Sequence, residues 1–282
     1  MFLPKKIQSP IFLISFYLLG CGYHPIMDAE EYQPALFADH QIDLASPEQV
    51  LEIYQIMKDT HEVFGQCGLS YWADSGTALG AERNQGFIGW DDDNDIAVLA
   101  QDVPQLLVLR PIFTQLGYFI EKVFFGYRIV KPGTTAQVDI FLMQKRNGNL
   151  YYNAGYWGMR LAENSPTLGP IFIKESEVYP IRQVQFGPIQ VNVAHNSKPY
   201  LDALFKGWPD VAFTYGHLGQ RKFKIDLNRY PEFKRPGPLD PTTLQTIDLT
   251  ARIQDRVAKN LICPRVEDTR NSIPIRPFFD GV

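Results

Sequence analysis

The sequence predicts a mixed α/β fold, in which helices cover a sheet. Two observations carry this prediction: strand-like and helix-like segments alternate along residues 46–144, and 45% of the 282 residues are hydrophobic. A chain of this length and composition can bury a sizeable core, as one large domain or two small ones. The sequence shows no internal repeat and no long low-complexity stretch.

The first predicted element is a helix that begins at Ser46 and ends near Gly65. Ser46 is a suitable N-cap, Pro47 suits the first turn, and Gln49 lies three residues after the cap. Apolar residues then recur at helical spacing. His61 lies on the same face, and we interpret it as a core or boundary residue rather than a ligand.

Strands and short helices are predicted along the rest of the chain from the spacing of apolar residues and from turn residues. The predicted strands are residues 69–73, 96–99, 118–123, 125–130 and 137–144, and the predicted helices are residues 77–83, 103–116 and 198–205. Residues 145–178 are rich in Asn, Gly, Tyr and Pro and predict loops or short hairpins. A further helix is predicted to open at Asp240-Pro241.

Residues 75–98 are the most informative block, because they place a turn of small residues shortly before a cluster of acids. The acids follow Trp90 and are Asp91, Asp92, Asp93 and Asp95. On a strand, alternate side chains project to the same face, so three of the four acids would lie together. Two carboxylates 4 Å apart repel each other by about 1 kcal/mol in water and roughly 4 kcal/mol at an effective dielectric of 20.

Three interpretations of the acidic cluster are open. The cluster could form a solvated loop, an EF-hand loop or a site for a divalent cation. Carboxylates are hard oxygen ligands, which suit Mg²⁺, Mn²⁺ or Ca²⁺. The EF-hand interpretation fits poorly, because Ile96 stands where the sharp turn needs Gly and Asp102 stands where the bidentate Glu belongs.

Asp139 is a single charge within the apolar stretch of residues 136–143. Such a charge is costly to bury unless it is paired or bound to a metal. Either it is an edge-strand residue, or it pairs with Arg128 or Lys131, or its strand lies beside the one that carries Asp93 and Asp95. In the last case three carboxylates would converge.

The block from Gly76 to Val98, followed by Val138-Asp139-Ile140-Phe141, resembles the LicD family, which includes fukutin and fukutin-related protein. A later stretch from Tyr179 to Leu201 resembles the family as well, and the similarity covers roughly residues 47–217. The resemblance implies a nucleotidyltransferase-like mixed sheet flanked by helices. It also implies transfer of a phospho-alcohol, such as phosphocholine or ribitol phosphate, from a CDP-linked donor to a glycan acceptor.

The resemblance also implies roles for the acids. Asp93 and Asp95 match the paired metal ligands and Asp139 matches the third acid, with Mg²⁺ or Mn²⁺ as the expected ion. Asp139, or less favourably Asp91, would accept the proton of the attacking sugar hydroxyl. We interpret Trp90 as a packing residue under the acidic turn.

Phosphate binding is assigned to the turn and to one arginine. Gly76 and Thr77 match the turn next to the donor phosphates, and Arg83 matches the arginine of the motif. Arg128 and Lys131 lie between the two acidic segments and either face the pyrophosphate or are ordinary surface charges.

Three positions depart from the family pattern: Gly89, Glu82 and Asn94. Asn94 should face away from the ligands and affect packing more than metal binding. Glu82 could pair with Arg83 and weaken its attraction for phosphate. An aromatic cluster at Tyr151, Tyr152, Tyr156 and Trp157 either stacks on an acceptor sugar or packs within a loop.

A net charge of −4 and the lack of a basic stripe argue against nucleic-acid binding. The three cysteines, at positions 21, 67 and 263, are too scattered for a zinc site. A disulfide between Cys67 and Cys263 would form only if folding brings them together.

The N-terminus carries two lysines, an apolar stretch over residues 11–19 and a Leu-Leu-Gly-Cys sequence that ends at Cys21. It resembles a lipoprotein signal with Cys21 as the lipidated residue. We expect membrane association through this segment, with a cytoplasmic location as the alternative. The predicted divisions are residues 1–24 as signal or anchor, 25–235 as one catalytic domain with loop-rich insertions, and 236–282 as a helix and extended tail.

Two alternatives to phospho-alcohol transfer are open. In the first, the protein is a catalytically inactive surface protein that binds a metal and a glycan. In the second, it transfers a nucleotide to an acceptor. The presence of all three matched acids favours an enzyme.

Overall fold

A seven-stranded mixed sheet forms the centre of the computed structural model, which describes residues 44–152, 172–214 and 224–237. The strands are β1 (Trp72–Ala73), β2 (Asn94–Leu99), β3 (Phe119–Val123), β4 (Gly126–Val130), β5 (Gln137–Arg146), β6 (Asn149–Tyr152) and β7 (Phe172–Lys174). Their order is β1-β2-β5-β4-β3, and β6 pairs with the second half of β5 and with β7. Only β2 and β5 are parallel neighbours within this sheet. The mixed α/β prediction is confirmed.

Six helices and two hairpins complete the described chain. The helices are α1 (Pro47–Gln66), α2 (Ser75–Leu79), α3 (Val103–Val108), α4 (Arg110–Gln115), α5 (Glu175–Val178) and α6 (Lys198–Leu204). The hairpins pair β8 (Arg182–Phe186) with β9 (Ile189–Val193) and β10 (Val211–Phe213) with β11 (Lys224–Asp226). A π-helical turn, Gly80–Asn84, continues α2, and 3₁₀ turns occupy Ala100–Asp102 and Pro231–Lys234.

Helix α1 begins where the sequence predicts and for the predicted reason. The Ser46 hydroxyl accepts a hydrogen bond from the Gln49 amide at 3.3 Å, and the Gln49 side chain accepts one from the Ser46 amide at 2.8 Å. This capping box satisfies two amides at the helix start. The apolar face of α1, including Ile53 and Met57, is buried, and the helix contacts β5 and β9.

Two predicted helices differ from the structure. The helix predicted over residues 103–116 is divided into α3 and α4. Pro111 lacks an amide proton and cannot donate to the carbonyl of Leu107, so one helical hydrogen bond is lost at the junction. The helix predicted over residues 77–83 begins at Ser75 and widens into the π-helical turn after Leu79.

Several features predicted from the sequence lie partly or wholly outside the described residues and stay predictions. They include residues 1–24 with Cys21, the tail after residue 237, Tyr156 and Trp157. Cys67 is in a disulfide. Cys263, the partner considered for it in the sequence analysis, lies outside the described residues, so the pairing stays open. Within the described ranges, none of the helices combines the length and apolar character needed to cross a membrane.

Candidate active site

Three buried carboxylates meet at one end of β2 and β5. Asp95 on β2 is paired in register with Asp139 on the parallel strand β5, and Asp93 lies just before β2. Each offers a carboxylate oxygen, and these oxygens lie within 4.8 Å of one another. Asp139 is fully buried, and Asp93 and Asp95 are each 9% exposed. The structure therefore brings together the three acids that the sequence singled out.

A second acidic group extends this cluster towards solvent. Carboxylate oxygens of Asp91, Asp92 and Asp93 also lie within 4.8 Å of one another, and the first two residues are half-buried. Asp91 lies against Gly76: a Cβ added to Gly76 would be 2.6 Å from an Asp91 oxygen and 3.5 Å from an Asp95 oxygen. Any larger residue at position 76 would therefore displace the Asp91 side chain.

The first turn of α2 and the residue before it are bonded directly to the metal-ligand candidate Asp95. The Asp95 amide donates to the Thr77 hydroxyl at 2.7 Å, and the Gly76 amide donates to the Asp95 carboxylate at 3.2 Å. The Asp74 amide donates to the Asp95 carbonyl at 3.0 Å. Gly76 and Thr77 thus lie beside the acids, as the sequence predicted, and they hold the acidic strand in place.

Burial and mutual repulsion both act on the clustered acids. Burial raises the pKa of Asp93 well above its ordinary value, and the nearby charges of Asp91 and Asp139 raise it further. Burial likewise raises the pKa of Asp95, with added repulsion from Asp93 and Asp139. A cluster of buried oxygen ligands with excess negative charge is the donor set that Mg²⁺ and Mn²⁺ prefer.

The sequence left open whether Arg128 and Lys131 face the pyrophosphate or the surface, and whether one of them pairs with Asp139. The structure shows that Arg128 makes this pair. Arg128 on β4 donates to both Asp139 oxygens, at 2.5 and 2.9 Å. It therefore lies at the acidic cluster and offsets one of its charges. Lys131 donates to Glu52 of α1 at 2.8 Å, with both side chains about 30% exposed (29% and 31%). Lys131 therefore joins α1 to the end of β4.

A cavity opens beside the acids and continues into solvent. Gly76 and Asp91 line the cavity next to the acids, and Trp90 and Phe213 contribute to an apolar wall. The Trp90 indole donates to the Phe213 carbonyl at 3.2 Å and is 8% exposed, so its role in packing is clear.

Two cationic residues also line this cavity. The Arg83 guanidinium lies 6.0 Å from the centroid of the Trp90 ring, and its Nε donates to the Asn84 side chain at 2.8 Å. Lys206, which follows α6, is exposed. The cavity is therefore lined by an acid, by apolar side chains and by two cationic residues.

The family model described as LicD/FKTN/FKRP, nucleotidyltransferase domain, matches residues 68–196, which include all three buried acids and the Gly76 turn. Uncharacterized protein RP689 of Rickettsia prowazekii is 31% identical over 250 residues, covering 84% of this chain and 88% of that protein. The chain belongs to the LicD family. Uncharacterized protein RT0683 of Rickettsia typhi is 30% identical, covering 83% of this chain and 75% of that protein.

Among solved structures, two of the antibiotic-resistance factor ANT(2″)-Ia are similar to part of this LicD-family chain. A crystal structure of it in complex with adenylyl-2″-tobramycin covers 44% of this chain and 68% of that one, with 16% identity and a TM-score of 0.28. The match to a solution structure of the same factor covers 45% of this chain and 66% of that one, with 17% identity and a TM-score of 0.30.

The two departures from the LicD pattern that bear on the site have clear contacts. Asn94 is fully buried and donates to the Ile53 carbonyl of α1 at 3.1 Å, so it faces away from the ligands as expected. Glu82 forms an ion pair with Arg182 of β8. The sequence had suggested Arg83 as the partner of Glu82, whereas this ion pair reaches a residue 100 positions along the chain.

The sequence did not reveal a buried aspartate, Asp74, which lies directly before Ser75 at the start of α2. Asp74 is fully buried and accepts hydrogen bonds from Tyr152 at the end of β6 and Tyr200 of α6. Burial raises the pKa of Asp74, and the two hydroxyl hydrogen bonds oppose that rise. Tyr152 belongs to the aromatic cluster considered for an acceptor sugar, but its hydroxyl is directed to Asp74. The only sequence signal was the position of Asp74 directly before the turn.

Proposed function

We propose that this protein transfers a phospho-alcohol from a CDP-linked donor to a glycan acceptor. Membership of the LicD family supports a phospho-alcohol transferase in general terms. One observation carries the finer proposal: three buried acids from two adjacent strands lie within 4.8 Å of one another, beside a turn that approaches them closely.

Asp93, Asp95 and Asp139 would hold Mg²⁺ or Mn²⁺. When bound, the ion neutralises charge on phosphoryl oxygens. Phosphoryl transfer asks little covalent work of the protein, so positioning and electrostatics supply most of the rate. The Gly76 turn keeps the ligand strand fixed, since Gly76 and Thr77 both bond to Asp95.

We assign the role of proton acceptor to Asp91 rather than Asp139. Both oxygens of Asp139 accept hydrogen bonds from Arg128, and its side chain is fully buried. Asp91 is half-buried and lines the cavity. An acceptor hydroxyl in the cavity can approach Asp91 directly, which general-base catalysis requires.

The cavity beside the acids has a volume of about 60 Å³ and is too small to enclose a nucleotide, so it would admit only one end of the donor. Phe205 and Phe213, which are half-buried in the apolar wall of the cavity, would provide a surface for a flat base, while Arg83 and Lys206 would provide positive charge for phosphate oxygens. In this arrangement the donor phosphates lie between the acids with their ion and the two cationic residues.

The test is release of CMP from CDP-choline, CDP-ribitol and CDP-glycerol, each with Mg²⁺ and a glycan acceptor. Asp93→Asn should abolish release, whereas Asp202→Asn, which changes an exposed acid of α6, should leave it unchanged. Mass spectrometry of the acceptor then separates the chemistries. A gain of the phospho-alcohol supports the proposal, a gain of CMP indicates nucleotidyl transfer, and metal-dependent binding without turnover indicates an inactive binding protein.

A further inference from the structure

Asp74, Tyr152 and Tyr200 form a buried network directly behind the active-site turn. The Tyr152 hydroxyl lies 2.6 and 2.8 Å from the two Asp74 oxygens, and the Tyr200 hydroxyl also donates to Asp74. The two hydroxyls lie 2.8 Å apart. The fully buried Asp74 carboxylate thus accepts hydrogen bonds from two tyrosine hydroxyls, which meets the requirement that a buried polar group has partners.

The network joins three parts of the chain that meet around the cavity. Asp74 occupies the N-cap position of α2, Tyr152 ends β6, and Tyr200 lies on α6. The Tyr200 hydroxyl also accepts a hydrogen bond from the Ser75 amide at 3.1 Å. Ser75 has φ = 40°, a left-handed conformation that is unfavourable for a residue other than glycine. Such a conformation persists only where its surroundings hold it.

The network is connected to two parts of the proposed donor site. The residues after Asp74 bond to Asp95 through Gly76 and Thr77. In addition, α6 leads directly into Phe205 and Lys206 of the cavity wall. The hydroxyl of Tyr200 therefore fixes the spacing between the turn and that wall.

We infer that Asp74, Tyr152 and Tyr200 are positioning residues that hold the Ser75–Thr77 turn and the cavity wall at the spacing needed for a phosphate-containing donor. This role rests on the proposed phospho-alcohol transfer. None of the three needs to touch the donor, because Asp74 acts through the turn and Tyr200 through both the turn and α6. Displacement of reacting groups by about 1 Å can reduce a rate about 100-fold, so small movements of the turn matter.

Tyr200→Phe tests the role, and Tyr118→Phe is its matched control. Tyr118 is also a buried tyrosine whose hydroxyl donates to a buried acid, Asp59 of α1, at 2.6 Å. Both variants remove one hydroxyl and leave one buried carboxylate with a partner fewer, so both should lower the melting temperature. The decrease should be larger in Tyr200→Phe, because the Tyr200 hydroxyl also bonds to Tyr152 and to the Ser75 amide. Only Tyr200→Phe releases the Ser75 amide.

Two measurements should separate the variants. Hydrogen exchange of residues 75–79 should be roughly tenfold faster in Tyr200→Phe than in the wild type and unchanged in Tyr118→Phe. The kcat/KM for the donor should fall about 10- to 100-fold in Tyr200→Phe alone, while the Kd for Mn²⁺ stays within a few-fold of the wild type. Tyr152→Phe should show the same loss of kcat/KM, because it removes the second hydroxyl from Asp74.

The outcomes distinguish failure of this role from failure of the proposed function. If the wild-type protein releases no CMP from any of the three donors, the transfer proposal is wrong and the positioning role is overturned with it. If the wild type is active and Tyr200→Phe matches Tyr118→Phe in exchange or in kcat/KM, only the positioning role is overturned.

Discussion

Asp95 and Asp139 face each other across the two parallel strands of the sheet, and Arg128 is paired in register with Asp139 from the other side. The sheet therefore sets three charged residues in one row, from β2 through β5 to β4. Asp93 adds a further carboxylate at the same end of the sheet. Arg128 offsets only one of these negative charges, and a divalent cation is the simplest means of balancing the rest.

Asp93→Asn should stabilise the metal-free protein and weaken cation binding. It removes a buried carboxylate whose raised pKa reflects burial and repulsion, so the melting temperature in EDTA should rise. Removing a residue that hydrogen-bonds to a metal ligand lowers the affinity for the metal about 10- to 100-fold. Loss of a ligand should cost at least as much, and calorimetry with Mn²⁺ measures it.

Asp59→Asn is the control for this change. Asp59 is a buried acid of α1, bonded to Tyr118 and Gln55, and it is not among the described acidic clusters that could hold an ion. Its substitution should leave the Mn²⁺ affinity unchanged. Equal losses of affinity in the two variants would show that Asp93 is not a ligand.

The stability of the metal-free protein should fall as pH rises, through the pKa shifts of Asp93 and Asp95. Both pKa values are raised in the folded state, so between the unfolded and folded values the folded protein holds more protons. Stability from these groups is therefore lost as pH rises through that window. Saturating Mn²⁺ should reverse the trend, because the ion replaces the protons.

Melting curves from pH 4.5 to 8, with EDTA or Mn²⁺, measure this effect. The quantity to compare is the difference between the wild type and Asp95→Asn, since other groups also titrate. In EDTA the stabilisation caused by the substitution should grow with pH. A difference that is constant across this range would refute the pH prediction.

Local chemistry explains which parts of the fold were predictable. The start of α1 follows from Ser46, Pro47 and Gln49, which act within one turn, and the two hairpin strands β3 and β4 follow from adjacent apolar segments. Pro111 indicated the break between α3 and α4. The sequence nevertheless predicted one helix there, because apolar residues recur at helical spacing on both sides of Pro111. The parallel pairing of β2 with β5 depends on the whole sheet, so convergence with the other acids was only one of three possibilities for Asp139. The structure shows this convergence together with a second possibility, the pairing of Asp139 with Arg128.

The contacts that the sequence did not reveal are long-range ones. Tyr152 and Tyr200 are separated from Asp74 by 78 and 126 positions, and no local pattern links them. Lys131 bonds to Glu52, 79 positions away on α1. Ion pairs and hydrogen bonds of this kind depend on how the elements pack, which periodicity and capping do not specify.

Arg128→Met should destabilise the metal-free protein by about 3 kcal/mol, since breaking a buried ion pair leaves the other charge uncompensated. The fully buried Asp139 would lose both hydrogen bonds from the guanidinium. Denaturant unfolding in EDTA measures the loss. Saturating Mn²⁺ should reduce it, because a bound cation takes over part of the neutralisation.

The double variant Arg128→Met/Asp139→Asn provides the comparison. If the loss comes from the uncompensated Asp139 charge, the second substitution should restore most of the stability in EDTA. A loss that is the same in the single and double variants would instead come from the packing of Arg128, whose guanidinium lies 5.7 Å from the centroid of the Phe125 ring.

Gly76→Ala should lower activity by roughly 100-fold while leaving the fold intact. The added methyl group would lie 2.6 Å from an Asp91 oxygen, so the Asp91 side chain must move. The methyl group would also occupy space in the cavity that Gly76 lines. A shift of about 1 Å at a reacting centre is enough for such a loss. CMP release and a melting curve measure the two effects.

Gly65→Ala is the matched control, since a Cβ at that position in the last turn of α1 has no neighbour within 4 Å. Alanine is favoured over glycine in helices by up to about 1 kcal/mol, so this variant should be as stable as the wild type or more so, with unchanged activity. If Gly76→Ala keeps full activity, the close approach of the turn to Asp91 has no part in the reaction, and Asp91 is not the proton acceptor.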